Sequence, residues 1–193
     1  MRALLICTEK LPVPPVRGGA IQTYIAAVAP QLARNHSVTV LGVSDPELPD
    51  RETRDGVTYV RIPGGSFPRF RAGVEEFLKT EGKRFQLIHI FNRPKMVLPV
   101  RQAVPKARLI LSLHNEMFRP GKIEPEEAKR VIAAVERIIT VSDFIGRGVE
   151  ALYPSAKGKW RTIYSGVDLS RFAPIWTSEA WRMRSRLRSE HQL

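Results

Sequence analysis

A chain of 193 residues with 43% hydrophobic and 26% charged content carries enough apolar material for one sizeable core, alone or with an appendage, and excludes wholesale disorder. The surplus of 31 Lys and Arg over 19 Asp and Glu, a net charge of +12, favours anionic partners without choosing among nucleotide phosphates, anionic lipid and nucleic acid. The single cysteine, Cys7, excludes an internal disulfide framework and a multi-cysteine zinc site, and suits a cytosolic setting.

The opening "MRALLICTEK" reads as a buried strand, because its apolar stretch, residues 3–7, is too short for a secretory signal. No stretch approaches the ~20 apolar residues of a membrane span, so a soluble protein is expected. After the hook "LPVPP", the segment "VRGGAIQTYIAAVAPQLAR" spaces Ile21, Tyr24, Ile25, Val28 and Leu32 as one face of an amphipathic helix. "SVTVLGV" follows as a strand, and "GVTYVRI" as an alternating strand nearer a sheet edge. "FRAGVEEFLKTEGKRF" sets Phe70, Val74, Phe77 and Leu78 on one helical face, with Gly82 near its end. The alternation then repeats: strand "QLIHIF", a short helix over 95–104, and strand "ARLILSLH". Helix "EPEEAKRVIAAVE" starts on Pro125, and strand "RIITVS", helix "DFIGRGVEALYP" and a last strand in "WRTIYSGV" complete the series. This rhythm predicts an α/β, Rossmann-like, mostly parallel sheet with helices on both faces.

Ligands of such sheets bind beyond the carboxyl ends of the strands. The residues there are Gly18 and Gly19 with Arg17 beside them, Asn92 and Arg93, His114, Asn115 and Glu116, and Ser142. The glycine pair matches neither G-x-G-x-x-G nor G-x-x-x-x-G-K-[ST]. Two roles fit it: a tight turn after the prolines, or a helix start whose amides and macrodipole meet an anion. His114 fits either a sugar or proton contact or a histidine satisfied by backbone carbonyls, while His89, inside its strand, suits a buried structural role. Ser142 is suited to capping a helix. No G-x-S-x-G elbow, metal-ligand histidine spacing or paired carboxylates are present, which disfavours serine hydrolase and metal chemistry.

Taken in order, "PPVRGGAIQTYIAAVAPQLARNHSVTVLG", "SLHNEMF", "IITVSDFIGRGV" and "IYSGVDLSRFAPIW" resemble the amino-terminal half of a family-4 glycosyltransferase of the two-domain GT-B architecture. The resemblance covers about residues 1–174. It departs from the commoner pattern at Asn115, where many members have aspartate, and at Ser165, where they have asparagine. "HNEMF" and "FAPIWT" are most similar to the spore coat protein SA group of spore-forming bacteria.

The resemblance implies retaining, metal-independent transfer from a nucleotide-sugar donor to a glycan or lipid-linked acceptor, with no cofactor. It places Gly18 and Gly19, flanked by Arg17, at the donor diphosphate and His114 against the transferred sugar. Asn92, Arg93, Asn115, Glu116 and Ser142 would line the acceptor cleft. Residues 1–174 would form the acceptor-side domain and 175–193 the helix leading to a donor-binding domain beyond Leu193, so this stretch is expected to be inactive alone. The basic residues Arg69, Arg71, Lys79, Lys83 and Arg84 suit either a solvated helix face or a peripheral contact with anionic membrane. Expected location is the cytoplasm, with the membrane periphery or spore coat as further settings. A non-catalytic carbohydrate-binding or coat-assembly module is the alternative function. Nucleic-acid binding is the third and is not expected, since no helix-turn-helix, zinc-finger or RNP signature accompanies the charge.

Overall fold

The computed structural model describes residues 1–169 and 172–192; Ser170 and Arg171 of the "GVDLSRF" passage, and Leu193, lie outside the described residues. The elements run β1 (Arg2–Ile6), α1 (Ala20–Ala33), β2 (Ser37–Val43), β3 (Arg51–Arg54), β4 (Val57–Ile62), α2 (Phe67–Glu81), β5 (Leu87–Phe91) and α3 (Val97–Ala103). They continue with β6 (Arg108–Leu113), α4 (Pro125–Ala134), β7 (Arg137–Thr140), α5 (Asp143–Leu152), β8 (Trp160–Thr162) and α6 (Ser178–Glu190). Among the described residues the strands form one eight-stranded sheet in the order β3-β4-β2-β1-β5-β6-β7-β8. Every neighbouring pair is parallel except β3 with β4.

Period-two geometry sends successive side chains to opposite faces, and both faces of the central strands are covered, so β1 is apolar throughout. Leu5 and Cys7 join Val38, Val40, Tyr59 and Phe91 in a core closed by Ile25 and Ala29 of α1. Leu4 and Ile6 face the other way, into a larger core closed by α2 to α5 through residues such as Phe70, Val100, Val131 and Val149. The expected α/β sheet with helices on both faces is therefore present, with α1 alone on its side among the described residues.

Three local differences from the sequence pattern have physical causes. The buried face of α1 is Gln22, Ile25 and Ala29, and Leu32 is 36% exposed, because the Gln22 amide is needed by the preceding loop. Strand β3, "RETR", has no apolar alternation to betray it; its charged side chains suit an antiparallel edge, and it leaves β4 second from that edge. Gly82 ends α2 in right-handed geometry, so its small size serves packing: a Cβ there would lie 2.7 Å from Val104 Cγ2.

Helix α2 buries Phe70, Val74, Phe77 and Leu78, as the stripe predicts. Its basic face is largely neutralised by Arg71–Glu75 at 2.7 Å, Lys79–Glu76 at 3.0 Å and Arg84–Glu81 at 2.7 Å. The apolar stripe is thus spent on the core rather than left for a bilayer. No described helix is long and apolar enough to cross a membrane. Beyond β8 the chain leaves the sheet, and α6 buries none of its side chains.

Helix α5 supplies a paired test of packing. A Cβ at Gly146 would collide with the Trp160 ring, which is held in place by Nε1–H donating to Glu150 Oε2 at 2.6 Å; at Gly148 a Cβ meets nothing within 4 Å. In urea denaturation, Gly146→Ala is expected to cost about 1–3 kcal/mol through overpacking. Gly148→Ala is expected to add roughly 0.5–1 kcal/mol through helix propensity. Equal effects at the two positions would contradict this packing.

Candidate functional site

The chain leaves β1 for β2 and β4 on one side, then returns through α2 to β5 on the other. Connections from β1 and β5 therefore diverge, and a crevice opens beyond their carboxyl ends, where open α/β sheets bind ligands. Glu9, three residues past β1, and Arg93, two past β5, join across it: Arg93 Nε donates to Glu9 Oε2 at 2.5 Å and Nη2 to Oε1 at 2.6 Å. The side chains are 7% and 16% exposed. Burial acts to raise the Glu9 pKa, but the hydrogen bonds from Arg93 and the local backbone, with the arginine charge, hold it below its ordinary value.

The two glycines at the head of α1 prove to have different tasks. Gly18 (φ +77) has nothing within 4 Å of the space a Cβ would fill, so a ligand can approach its backbone. Gly19 (φ +103) is crowded: a Cβ would collide with Gln22 Oε1 and lie 2.9 Å from Leu11 Cδ1. Gln22 needs that room because its Nε2 donates to Thr8 Oγ1 at 3.0 Å and to the Leu11 carbonyl at 3.2 Å, tying the loop after β1 to the helix. Helix α1 begins without a side-chain cap or an acid in its first turn, whereas Ser66 and Ser142 cap α2 and α5. Its leading amides and positive dipole end are open to an anion. Arg17 is less available than its position suggests, since Asp45 binds it at 3.0 Å and Glu47 at 2.7 Å.

His114 sits on the α1 side of the crevice. Its ring meets Tyr24 edge-on at 5.4 Å between centroids, and its backbone N–H donates to Asn92 Oδ1 at 3.0 Å. Tyr24 lies five residues past Gly19, about 7.5 Å along the helix axis. Asn92 is buried and takes the left-handed conformation (φ 53), which asparagine tolerates better than most residues. Its side chain thereby turns toward the end of β6. Burial depresses the His114 pKa. His89, as its place within a strand suggested, is structural: Nε2 lies 2.6 Å from Ser112 Oγ and the ring stacks on Phe91 at 4.2 Å. Burial, with the neighbouring His114, drives its pKa down to about 3.

The remaining predicted residues stand farther out. Ser142 Oγ accepts the Ile145 N–H at 3.4 Å as the cap of α5, on a strand two places, about 10 Å, from β5. Glu116 pairs with Arg119 at 3.0 Å, and Asn115 is exposed with its carbonyl accepting the Met117 N–H. The structure thus links Asn92, Arg93 and His114 closely and leaves Asn115, Glu116 and Ser142 on the rim. Glu9 and Gln22 were missed. An acid directly after a buried strand was the available sign for Glu9; Gln22 on the apolar side of its helix was the sign for itself.

With this geometry in view, known proteins are informative. The model of Glycosyltransferase Family 4 matches residues 18–171. The chain belongs to glycosyltransferase family 4. It is 48% identical over 190 residues to spore coat protein SA of Bacillus subtilis (strain 168), covering 98% of this chain and 49% of that protein. It is 41% identical over 191 residues to the protein named "Putative glycosyltransferase YtcC" of the same organism, covering 99% and 46%. The chain therefore spans about half the length of these relatives. Its fold is shared with sucrose-phosphate synthase from Thermosynechococcus elongatus (TM-score 0.71, 16% identity, 100% of this chain and 52% of that one). It is shared too with a glycosyltransferase from Rickettsia africae (TM-score 0.67, 14% identity, 99% and 49%). The expected amino-terminal half of a GT-B fold is thereby established.

His89 provides a test of the buried polar network. A histidine pKa depressed by folding contributes stability fully above its unfolded value near 6.5 and loses it as pH falls toward the folded value. Between pH 6.5 and 4.5 His89 is expected to cost the chain roughly 1 kcal/mol per pH unit; His114, also depressed by burial, adds in the same direction, and the contribution of Glu9 fades only below 4.5. His89→Leu should flatten most of that slope in pH-dependent chemical denaturation, and an unchanged slope would refute a neutral buried His89.

Proposed function

We propose that this chain forms the acceptor-side half of a retaining glycosyltransferase that moves a sugar from a nucleotide-sugar donor to a cell-envelope or spore-coat glycan or its lipid-linked form. The observation that carries the proposal is the uncapped start of α1, open at Gly18, with His114 packed against the same helix. With the Gly18 N–H already given to the Pro15 carbonyl, a diphosphate at Gly18 and Gly19 would meet the N–H groups from Gly19 onward and the helix dipole, which favour the charge gathered on the leaving group. A hexose extending from it along α1 would reach His114, whose backbone Asn92 holds in place. Arg17 would steady the rim through Asp45 and Glu47 rather than bind phosphate directly.

On this proposal Asn92 and Arg93 form the floor of the acceptor side, with Asn115, Glu116 and Ser142 at its margin, and no resident metal or cofactor has a role. The name of the spore coat relative supports an envelope or coat acceptor; a cytoplasmic location, with peripheral contact at the membrane or coat, is part of the proposal. Since the chain spans about half of its relatives, the residues described here would make up one wall of the donor site, and the chain alone would be inactive.

Titration of the isotopically labelled chain with a set of nucleoside diphosphate sugars tests the donor wall. The expected result is movement of the Gly18, Gly19 and Ala20 amide resonances, weakened roughly tenfold by Gly18→Val. In a protein carrying both halves, His114→Ala should lower kcat by roughly 100-fold with little change in donor affinity. Unmoved glycine resonances with every donor, or full turnover without His114, would defeat the proposal.

A further inference from the structure

Strand β4 contributes Val57 and Tyr59 to the core beneath α1, and period two puts Arg61 next on the same face. The Arg61 side chain is 1% exposed, at the carboxyl end of the strand. A buried guanidinium is tolerated only when its N–H groups are answered. Four bonds answer them here. Nε and Nη2 donate to the Val13 carbonyl at 3.2 and 3.0 Å, Nη1 to the Pro49 carbonyl at 2.5 Å, and Nη2 to Glu52 Oε1 at 2.5 Å. Val13 belongs to the loop between β1 and α1, and Pro49 to the loop between β2 and β3.

Both loops are short of backbone donors. The first contains "LPVPPVRGG", with prolines at 12, 14 and 15; the second is "SDPELPD", with prolines at 46 and 49. Proline has no N–H, so segments of this composition are poorly able to pair through a backbone ladder. Arg61 supplies the missing donors from one planar group that reaches a carbonyl on each loop. A second tie stands at the rim, where Asp45 and Glu47 bind Arg17. The 44–50 segment is itself held: the Leu48 N–H donates to the Asp45 carbonyl at 3.0 Å, and the Arg61 N–H to the Asp50 carbonyl at 2.8 Å. Between the two ties, the Val16 and Gly18 N–H groups donate to the Pro14 and Pro15 carbonyls at 2.8 and 2.9 Å.

We infer that Arg61 is a positioning residue for the glycine loop: by clamping Val13 to Pro49 it sets where residues 14–19 stand against the head of α1, and so the affinity for a nucleoside diphosphate. It acts through the loop, from beneath it. The inference rests on the donor reading of Gly18 and Gly19 for its ligand, whereas the clamp belongs to the free chain. Lysine is not equivalent at this position. It keeps the charge but gives up the planar fork that meets both carbonyls and Glu52 at once.

The first arm of the test needs no ligand. Amide hydrogen exchange in the isotopically labelled 193-residue chain should be roughly tenfold faster at Val16 and Gly18 in Arg61→Lys, with Leu5 and Ile90 of the central strands unchanged. A purely structural arginine would loosen those strand amides along with the loop. Glu52→Gln is the milder variant, on the edge strand, and keeps an acceptor for Arg61 while removing its countercharge. It should raise exchange at the same two amides about threefold, and it carries the test if Arg61→Lys does not fold. The second arm titrates each folded chain with UDP-glucose, ADP-glucose and GDP-mannose. Binding read at the Gly19 and Ala20 amides should weaken roughly tenfold in Arg61→Lys and about threefold in Glu52→Gln. Unchanged exchange at Val16 and Gly18, or an equal rise at Leu5 and Ile90, would overturn the clamp. Loosening confined to the loop, with Gly18, Gly19 and Ala20 silent toward every donor, would uphold the clamp and remove the donor reading. Donor binding at full strength on a loosened loop would uphold the donor reading and overturn Arg61 as its positioning residue.

Discussion

The reversal of direction at β1 is the constraint on which the candidate site depends. A parallel sheet must send every connection over one of its faces, and here the first passes through α1 on one side while those from α2 onward pass on the other. Loops that diverge in this way cannot close over the ends of β1 and β5. The Glu9–Arg93 pair spans the resulting gap and fixes its width, in a setting where removing either partner would strand a desolvated charge. Every other polar feature of the crevice is attached to one of its two walls.

The walls are built differently, and the difference has a chemical sense. On the α1 side stand an uncapped helix start and an imidazole with depressed basicity. On the opposite side a small concavity is lined by Arg93 and Lys95 with Phe67, Pro94, Met117 and Lys122. The loop before α1 is fixed internally: the Gly18 N–H donates to the Pro15 carbonyl at 2.9 Å, and Gln22 ties Thr8 and Leu11 to the helix. Lysine ammonium groups are mobile point charges on long stems.

The overall charge of +12 is less telling than its distribution. Much of the basic surface of α2 is already answered by glutamates three or four residues away, pairs worth only a few tenths of a kcal/mol that nevertheless mute the field of the helix. Arg17, Arg93 and Arg119 are likewise engaged. Local pairing therefore says more about this surface than the total does.

Sequence alone determined the order of the helices and of every strand but β3, because burial on both faces demands apolar strands and burial on one face demands a helical stripe, and both periods were visible. It also identified the strand-end clusters in which Gly18, Asn92, Arg93 and His114 stand, since the fold class dictates where ligands bind. The edge strand "RETR" escaped because a solvent-facing edge needs no apolar alternation. Only the tertiary structure decided which cluster residues meet. Glu9 and Arg93 are 84 positions apart, and no local pattern records that their strands are neighbours. Only it separated Gly18 from Gly19, because the crowding at Gly19 comes from Leu11 and from Gln22 on the next turn. The same holds for Arg17, whose side chain the sequence offered to a ligand and the fold assigns to an ion pair; Ser142 caps α5, as its residue type suggested. Periodicity reports what is buried; pairing across the chain is settled only when the sheet is assembled.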